Sequence, residues 1–226
     1  MKKILIFKPG AIGDLLQITP VIRALSNRYP DALITVMVGN RGAVSLFENN
    51  PRVNDVLVFD RKGEHAQWRL FVSLFRKLRK KNFDHVVNFQ RSNIKGWLLL
   101  LAAFPAKYLV YHKSSGGRTV HAVINHLETL KPLGINPDSE DLSLEFFPGE
   151  AARLEASRLL SSHGLKGGKV VALNPGASHP VNRWSTEQFA KLADLLQADG
   201  KIRVLLVGGA TRSEERRVGK ECRSRW

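Results

Sequence analysis

The sequence predicts an α/β protein built on a mostly parallel sheet. Three observations carry that expectation. Short runs that are almost wholly apolar, residues 3–7 (KILIF) and 33–38 (LITVMV) being the clearest, read as strands buried on both faces. Between such runs lie stretches with apolar residues at helical spacing. The two kinds alternate along the chain, as they do when helices cover both faces of a parallel sheet.

Taken in order, strand 3–7 is bounded by Lys8-Pro9-Gly10, and Gly10-Ala11-Ile12-Gly13-Asp14 forms a glycine-rich turn. A helix is expected over 15–29, from Leu15, Ile18, Val21, Ile22 and Leu25 on one face, with Pro30-Asp31 as its stop. Strand 33–38 follows, then a short helix over 41–49, a strand at 56–59, a helix at 68–81 and a strand at 85–89. A helix at 94–104 and a strand at 108–111 lead to a loop at 114–118 and a helix at 120–130. After a linker-like stretch at 136–141 come a helix at 149–161, a strand at 169–173, a helix at 185–199 and a strand at 202–207. Ser185 is the expected N-cap of the last helix, with Gln188 three residues on and Gly200 as its stop. The pattern gives a first domain over 1–145 and the opening β-α-β of a second over 146–211.

Hydrophobic residues make up 43% and charged residues 24% of the 226, the balance of a globular protein and not of a disordered chain. The longest apolar run, WLLLLAAF at 97–104, falls far short of the ~20 residues of a spanning helix. Four apolar residues after Lys2-Lys3 are too few for a signal peptide, which needs about 7–15, and a single cysteine, Cys222, fits a reducing compartment. A cytoplasmic protein is therefore expected. The charge is +15, which predicts an anionic partner: nucleic acid, an acidic membrane or a phosphorylated substrate.

Residues 212–226 (RSEERRVGKECRSRW) show neither strand nor helix period and hold six basic and three acidic residues, leaving +12 on the rest. The segment resembles translated sequencing adapter, and it is expected to be a non-native tail on a chain truncated within its second domain.

Three stretches can carry chemistry. In residues 7–20, FKPGAIGDLLQITP, a strand end, a glycine turn and a helix start come together, and Asp14 falls in the first helical turn beyond the strand's carboxyl end. A carboxylate there can take a proton from a substrate hydroxyl, or serve simply as a favourable first-turn acid. The turn matches neither G-x-G-x-x-G nor the phosphate loop that ends in Gly-Lys-Ser/Thr, which disfavours nicotinamide dinucleotides. In residues 174–192, Gly176, Ala177 and Ser178 with Arg183 can hold a diphosphate, or the stretch is an ordinary β-α loop with Trp184 as a hydrophobic staple. In residues 61–81, Arg61-Lys62 precede an apolar stripe of Trp68, Phe71, Val72, Phe75 and Leu78 bordered by six basic residues. Such a helix packs on a sheet with a solvated basic face, or lies on an acidic membrane. The seven histidines show no metal-ligand spacing, so no metal is expected.

The pieces Gly13-Asp14-x5-Pro20, Phe83-Asp84-x-Val86-Val87-Asn88-x-Gln90 and Asn174-Pro175-Gly176-Ala177-Ser178 followed by Arg183-Trp184 together resemble glycosyltransferase family 9, the ADP-heptose:lipopolysaccharide heptosyltransferases. The likeness covers nearly all of residues 1–210. It implies a GT-B fold of two Rossmann-like domains, the first for the acceptor and the second for the nucleotide-sugar. It implies inverting transfer of heptose from ADP-heptose to the lipopolysaccharide inner core, with Asp14 as catalytic base and no cofactor. It places Gly13, Asn174, Gly176, Ala177, Ser178, Asn182, Arg183 and Trp184 at the donor, and Arg61, Lys62 and Gln90 at the acceptor. Asn182 stands where the family often has lysine. The implied partners are ADP-heptose, the core acceptor and the cytoplasmic face of the inner membrane as a peripheral surface. Two other readings stand beside this one: an inactive fragment of such an enzyme, and a basic Rossmann-like nucleic-acid-binding protein. Against the last, aromatics are not interleaved with the basic run, and no nucleic acid is expected as partner.

Overall fold

A computed structural model describes residues 1–90, 92–112, 120–177, 180–198 and 200–208. Five short strands, β1 (Lys3–Phe7), β2 (Leu33–Val38), β3 (Asp55–Val58), β4 (His85–Asn88) and β5 (Lys107–Val110), pair in parallel in the order β3-β2-β1-β4-β5. Ile4 stands opposite Ile34 on one side and His85 on the other, which fixes the register of the central strand. Because side chains alternate across the pleat, Ile4 and Ile6 enter one core layer, and Leu5 and Phe7 the other.

Helices α1 (Ile12–Leu16), α2 (Thr19–Arg28) and α5 (Ala122–Glu128) close the first layer, against Ile18, Ile22, Leu25, Val123 and Leu127. Helices α3 (Trp68–Lys81) and α4 (Ile94–Leu100) close the second, through Phe71, Leu74, Leu78, Leu99 and Leu100. The helix expected over 15–29 is broken in two. Pro20 has no N–H to give, and its ring would clash with the carbonyl of Leu16 in a continuous helix. Instead the Thr19 hydroxyl donates to that carbonyl at 2.8 Å, and Pro20 sits in the first turn of α2. The stretch expected as helix 41–49 is a 3-10 helix, Arg41–Leu46, started by the Asn40 side chain accepting from the Ala43 N–H at 3.1 Å. The helix expected over 94–104 is α-helical to Leu100 and tightens to 3-10 over Leu101–Ala103. The helix expected over 120–130 is confined to α5. The loop at 114–118 lies outside the described residues.

The return segment after α5 is tied down by Arg23 of α2, which is almost fully buried. Its guanidinium pairs with Glu145 at 2.9 Å and Asp141 at 3.2 Å, and donates to the carbonyl of Ser143 at 3.1 Å. Glu145 is shared with Arg52 at 2.9 Å. Each guanidinium thus reaches a carboxylate, which a largely buried charge requires.

The chain divides into two compact units, Met1–Gly149 and Glu150–Trp226. In the second, β6 (Lys169–Leu173) and β7 (Ile202–Leu206) pair in parallel, with α6 (Gly149–Ser162) preceding them and α7 (Thr186–Gln197) between them. Its described core is small: Leu173, Ala193 and Val204, with Val171, Phe189, Leu192, Leu196 and Leu206 against them.

Candidate functional site

In the order β3-β2-β1-β4-β5 the connections change direction between β1 and β4, and open parallel sheets place their ligands at the carboxyl ends of such a pair. The turn after β1 carries Asp14, in the first turn of α1 and exposed to solvent, as is Gly13. A Cβ on Gly10 would stand 3.1 Å from the Asp14 Cβ, 3.3 Å from its Oδ2 and 3.5 Å from the Lys8 Cε. Glycine is thus what lets the carboxylate and the lysine stem close over the turn. Among the described residues Asp14 makes no ion pair. Burial lowers the Lys8 ammonium from its ordinary value, and the Asp14 charge opposes that fall. The ammonium lies 6.0 Å from the centre of the Phe89 ring.

Beneath this turn His126 of α5 is packed edge-on against Phe89 (centroids 4.9 Å apart) and beside Tyr111 (5.2 Å). Burial first, and the Lys8 charge second, push its imidazole down to about 4, against a hydrogen bond to the Gln17 backbone and the Asp14 charge. Sequence reading passed over Lys8 and His126 as site neighbours. Lys8 was visible as a cation ending a buried strand, but nothing in the spacing connects residue 126 to residue 14.

Arg61, Lys62 and Gln90 come together. They line one cavity of 330 Å³ with Pro9, Gly39, Phe59, Asp60, Ser92 and Asn93, at the carboxyl ends of β1 to β4. The basic pair is held by Asp60, whose carboxylate accepts from the N–H of Lys62 at 3.2 Å and of Gly63 at 2.9 Å. A Cβ on Gly63 would fall 2.2 Å from Asp60 Oδ2, so a side chain here would push that carboxylate away from the turn. Gln90 is set by its own N–H donating to Asn88 Oδ1 at 2.8 Å, and its side chain reaches Ser92 Oγ at 3.3 Å. Asp60, Ser92 and Asn93 are lining residues that the sequence did not single out. Gly13 and Asp14 do not line the cavity, but Pro9 of their turn does. A larger cavity of 800 Å³ beside β3 holds none of the predicted site residues.

In the second unit the Asn174 side chain accepts from the Gly176 N–H at 3.2 Å, and Arg183 Nε donates to the Ala177 carbonyl at 2.9 Å. Arg183 is thereby tied back to Ala177. Ser185 caps α7 by accepting from the Gln188 N–H at 3.3 Å. Trp184, just before the cap, packs edge-on against Phe189 at 5.3 Å, which is the geometry of a hydrophobic staple. Asn182 ends a 3-10 turn and is exposed. Ser178, Cys222 and the segment 212–226 lie outside the described residues. Among the described residues no group of three His, Cys, Asp or Glu side chains is placed to hold a metal ion.

A doubly wound α/β unit with a carboxylate on the turn after its first strand, followed by a second β-α-β unit, has the build of a GT-B glycosyltransferase. Residues 71–224 match glycosyltransferase family 9 (heptosyltransferase), and the chain belongs to that family. It is 29% identical over 215 residues to lipopolysaccharide heptosyltransferase 3 of Escherichia coli K12, covering 87% of this chain and 60% of that protein. The chain thus spans about 60% of the length of this curated relative. Among solved structures it is similar to a family 9 glycosyl transferase from Veillonella parvula, with a TM-score of 0.85 and 25% identity, covering 99% of this chain and 68% of that one. The E. coli heptosyltransferase WaaC, solved with ADP, shares the fold at a TM-score of 0.66 and 21% identity, over 97% of this chain and 71% of its own. No described helix is long and apolar enough to cross a membrane.

Proposed function

We propose that the protein transfers heptose, with inversion, from ADP-heptose to the inner core of lipopolysaccharide at the cytoplasmic face of the inner membrane. The observation that carries the reading is the exposed, unpaired Asp14 carboxylate on the turn beside the Arg61–Lys62–Gln90 cavity. Asp14 takes the proton of an acceptor hydroxyl. That oxygen bonds to the anomeric carbon as the bond to the diphosphate breaks, and ADP leaves with the electron pair. Arg61 and Lys62 hold the acceptor's phosphates, and Gln90 a sugar hydroxyl. In the second unit Asn174, Gly176, Ala177, Ser178, Asn182, Arg183 and Trp184 meet the donor, with Arg183 stabilising the departing diphosphate. Gly13 leaves the Asp14 turn open to the sugar. The donor assignment is supported by WaaC, which was solved with ADP and with ADP-2-deoxy-2-fluoro heptose.

The test is transfer from ADP-heptose to a core acceptor by the protein at its relatives' full length, with Asp14→Ala beside it. The variant is expected to bind donor and to lose about 10²–10⁴-fold in turnover, the usual worth of a positioned base. Unchanged turnover would remove Asp14 from the mechanism. A second reading, an inactive piece of such an enzyme, is favoured by one observation: the described second unit holds only two strands. On that reading the 226-residue chain shows no measurable transfer, and robust transfer by it would reject the idea.

A further inference from the structure

The outward sides of α3 and α4 differ from the rest of the first unit. Both helices pack on the same face of the sheet, α3 burying Phe71, Leu74 and Leu78, and α4 burying Leu99 and Leu100. Opposite those residues α4 presents Ile94 and Leu98, 77% and 50% exposed, and the 3-10 turn that follows it presents Leu101 at 56%, with Phe104 beyond at 65%. Apart from Lys95, α4 is apolar on its outer side as well as its inner one, yet only the inner side meets the protein. On α3, Arg69, Arg76, Lys77 and Lys80 fall on one outward stripe and line a hollow of 370 Å³ with Ser73. No acidic residue lines that hollow, and none of the four cations has an ion-pair partner among the described residues. The two stripes are neighbours, since Arg79 of α3 donates to the carbonyl of Phe104.

We propose that the outward faces of α3 and α4 form a membrane-docking surface, in which the α3 cations take phospholipid headgroup phosphates and the α4 side chains enter the acyl boundary. An apolar row beside a basic row is the arrangement that an interfacial helix needs on an anionic bilayer. The occupant is a lipid surface because the α3 hollow is lined by cations with no acid among them and the exposed apolar row lies beside it. A protein groove has no such requirement for unpaired cations. Ile94 directly follows Asn93, which lines the Arg61–Lys62–Gln90 cavity, so the surface begins at the rim of that cavity. A lipid-anchored acceptor would then meet the site from the bilayer. In this respect the inference rests on the proposed function, but its test does not.

The purified chain is sedimented with vesicles of phosphatidylcholine alone, or mixed with phosphatidylglycerol, with no sugar present. Binding is expected only to the anionic vesicles. Removing charges in Arg69→Gln/Arg76→Gln/Lys80→Gln should weaken it about a hundredfold, about fivefold for each cation near the surface. Leu98→Ser/Leu101→Ser should weaken it about tenfold, and the loss should persist in high salt, where the cations are screened. All these side chains are exposed, so the fold is spared, and residues 209–226 are common to every variant. Equal binding to both vesicles, or wild-type binding by either variant, overturns the proposal. So does charge-dependent binding to single-stranded RNA without binding to anionic vesicles. Failure of the Asp14→Ala transfer test leaves this result untouched, so the two readings fail separately.

Discussion

At the scale of single residues, the turn that carries Lys8 and Asp14 is coupled by charge to a buried histidine. His126 is held neutral by burial and by the Lys8 charge, with its imidazole pushed down to about 4 from 6.5. The unfolded chain therefore binds a proton that the folded chain refuses between those values, and stability rises with pH across that window. Acidifying from 6.5 to about 4 should cost up to about 3 kcal/mol at this one residue. In His126→Phe, which keeps the packing on Phe89 and Tyr111, urea unfolding should show a flatter pH profile. At neutral pH the same variant should lose about 1 kcal/mol with its hydrogen bond to Gln17. A residual slope should remain from His85, lowered by burial and then by Lys2. A profile as steep as the unsubstituted protein's would mean that His126 is not the group that titrates. This contact explains what could be read in the sequence and what could not. Asp14 and the Arg61-Lys62 pair could be singled out because each stands just beyond a strand end, where local pattern sets position, whereas Gln90 entered only through the family resemblance. His126, Asp60 and Asn93 act through partners brought near by the fold or by a turn's own geometry, and no period marks them.

At the scale of elements, the spacing gave every described strand to within a residue, because each strand is a short apolar run with turn residues on both sides. Helix ends were less legible. The break between α1 and α2 hangs on one proline, and apolar spacing runs straight through it. The change to 3-10 at Leu101 likewise follows no change in hydropathy. What sets α4 in place is a missing side chain. A Cβ on Gly96 would stand 2.9 Å from Phe7 Cε1 and 3.0 Å from its Cζ, with Asn93 Cγ at 3.2 Å. Phe7 is fully buried at the end of β1 and cannot yield easily. Alanine normally favours a helix interior over glycine by about 1 kcal/mol. Here Gly96→Ala should instead destabilise by about 1–3 kcal/mol, because the overpacking falls on a ring fixed between Phe59 and the helix. Thermal unfolding decides it. Combined with Phe7→Leu, the two costs should sum to less than their parts, the sign of a shared contact.

At the scale of the whole molecule, the two units differ in what holds them. The first has a five-stranded sheet with a core layer on each face. Among the described residues the second has two strands, and both of their outer edges lack a strand neighbour. Among the described residues only Leu173, Ala193 and Val204 form its buried cluster, and no side chain of α6 is buried. A helix without a buried face gains little from packing, and a two-stranded sheet is marginal without more strands or a well-packed helix. Local opening should therefore cost far less in the second unit than in the first. Hydrogen exchange read by mass spectrometry should find the amides of β6 and β7 exchanging orders of magnitude faster than those of β1, β2 and β4, although both sheets are parallel and regularly bonded. In denaturant the second unit should melt first, in a separate transition with the smaller dependence on denaturant, since it exposes less surface. Equal protection in β6 and β1 would show that the second unit draws stability from something other than its own described core. Asn174 to Ala177, which the proposed function places at the donor, directly follow β6 and depend on that strand for their position. On the proposed function, any addition that pairs the free edges of β6 and β7 should then raise protection in β6 and donor affinity together.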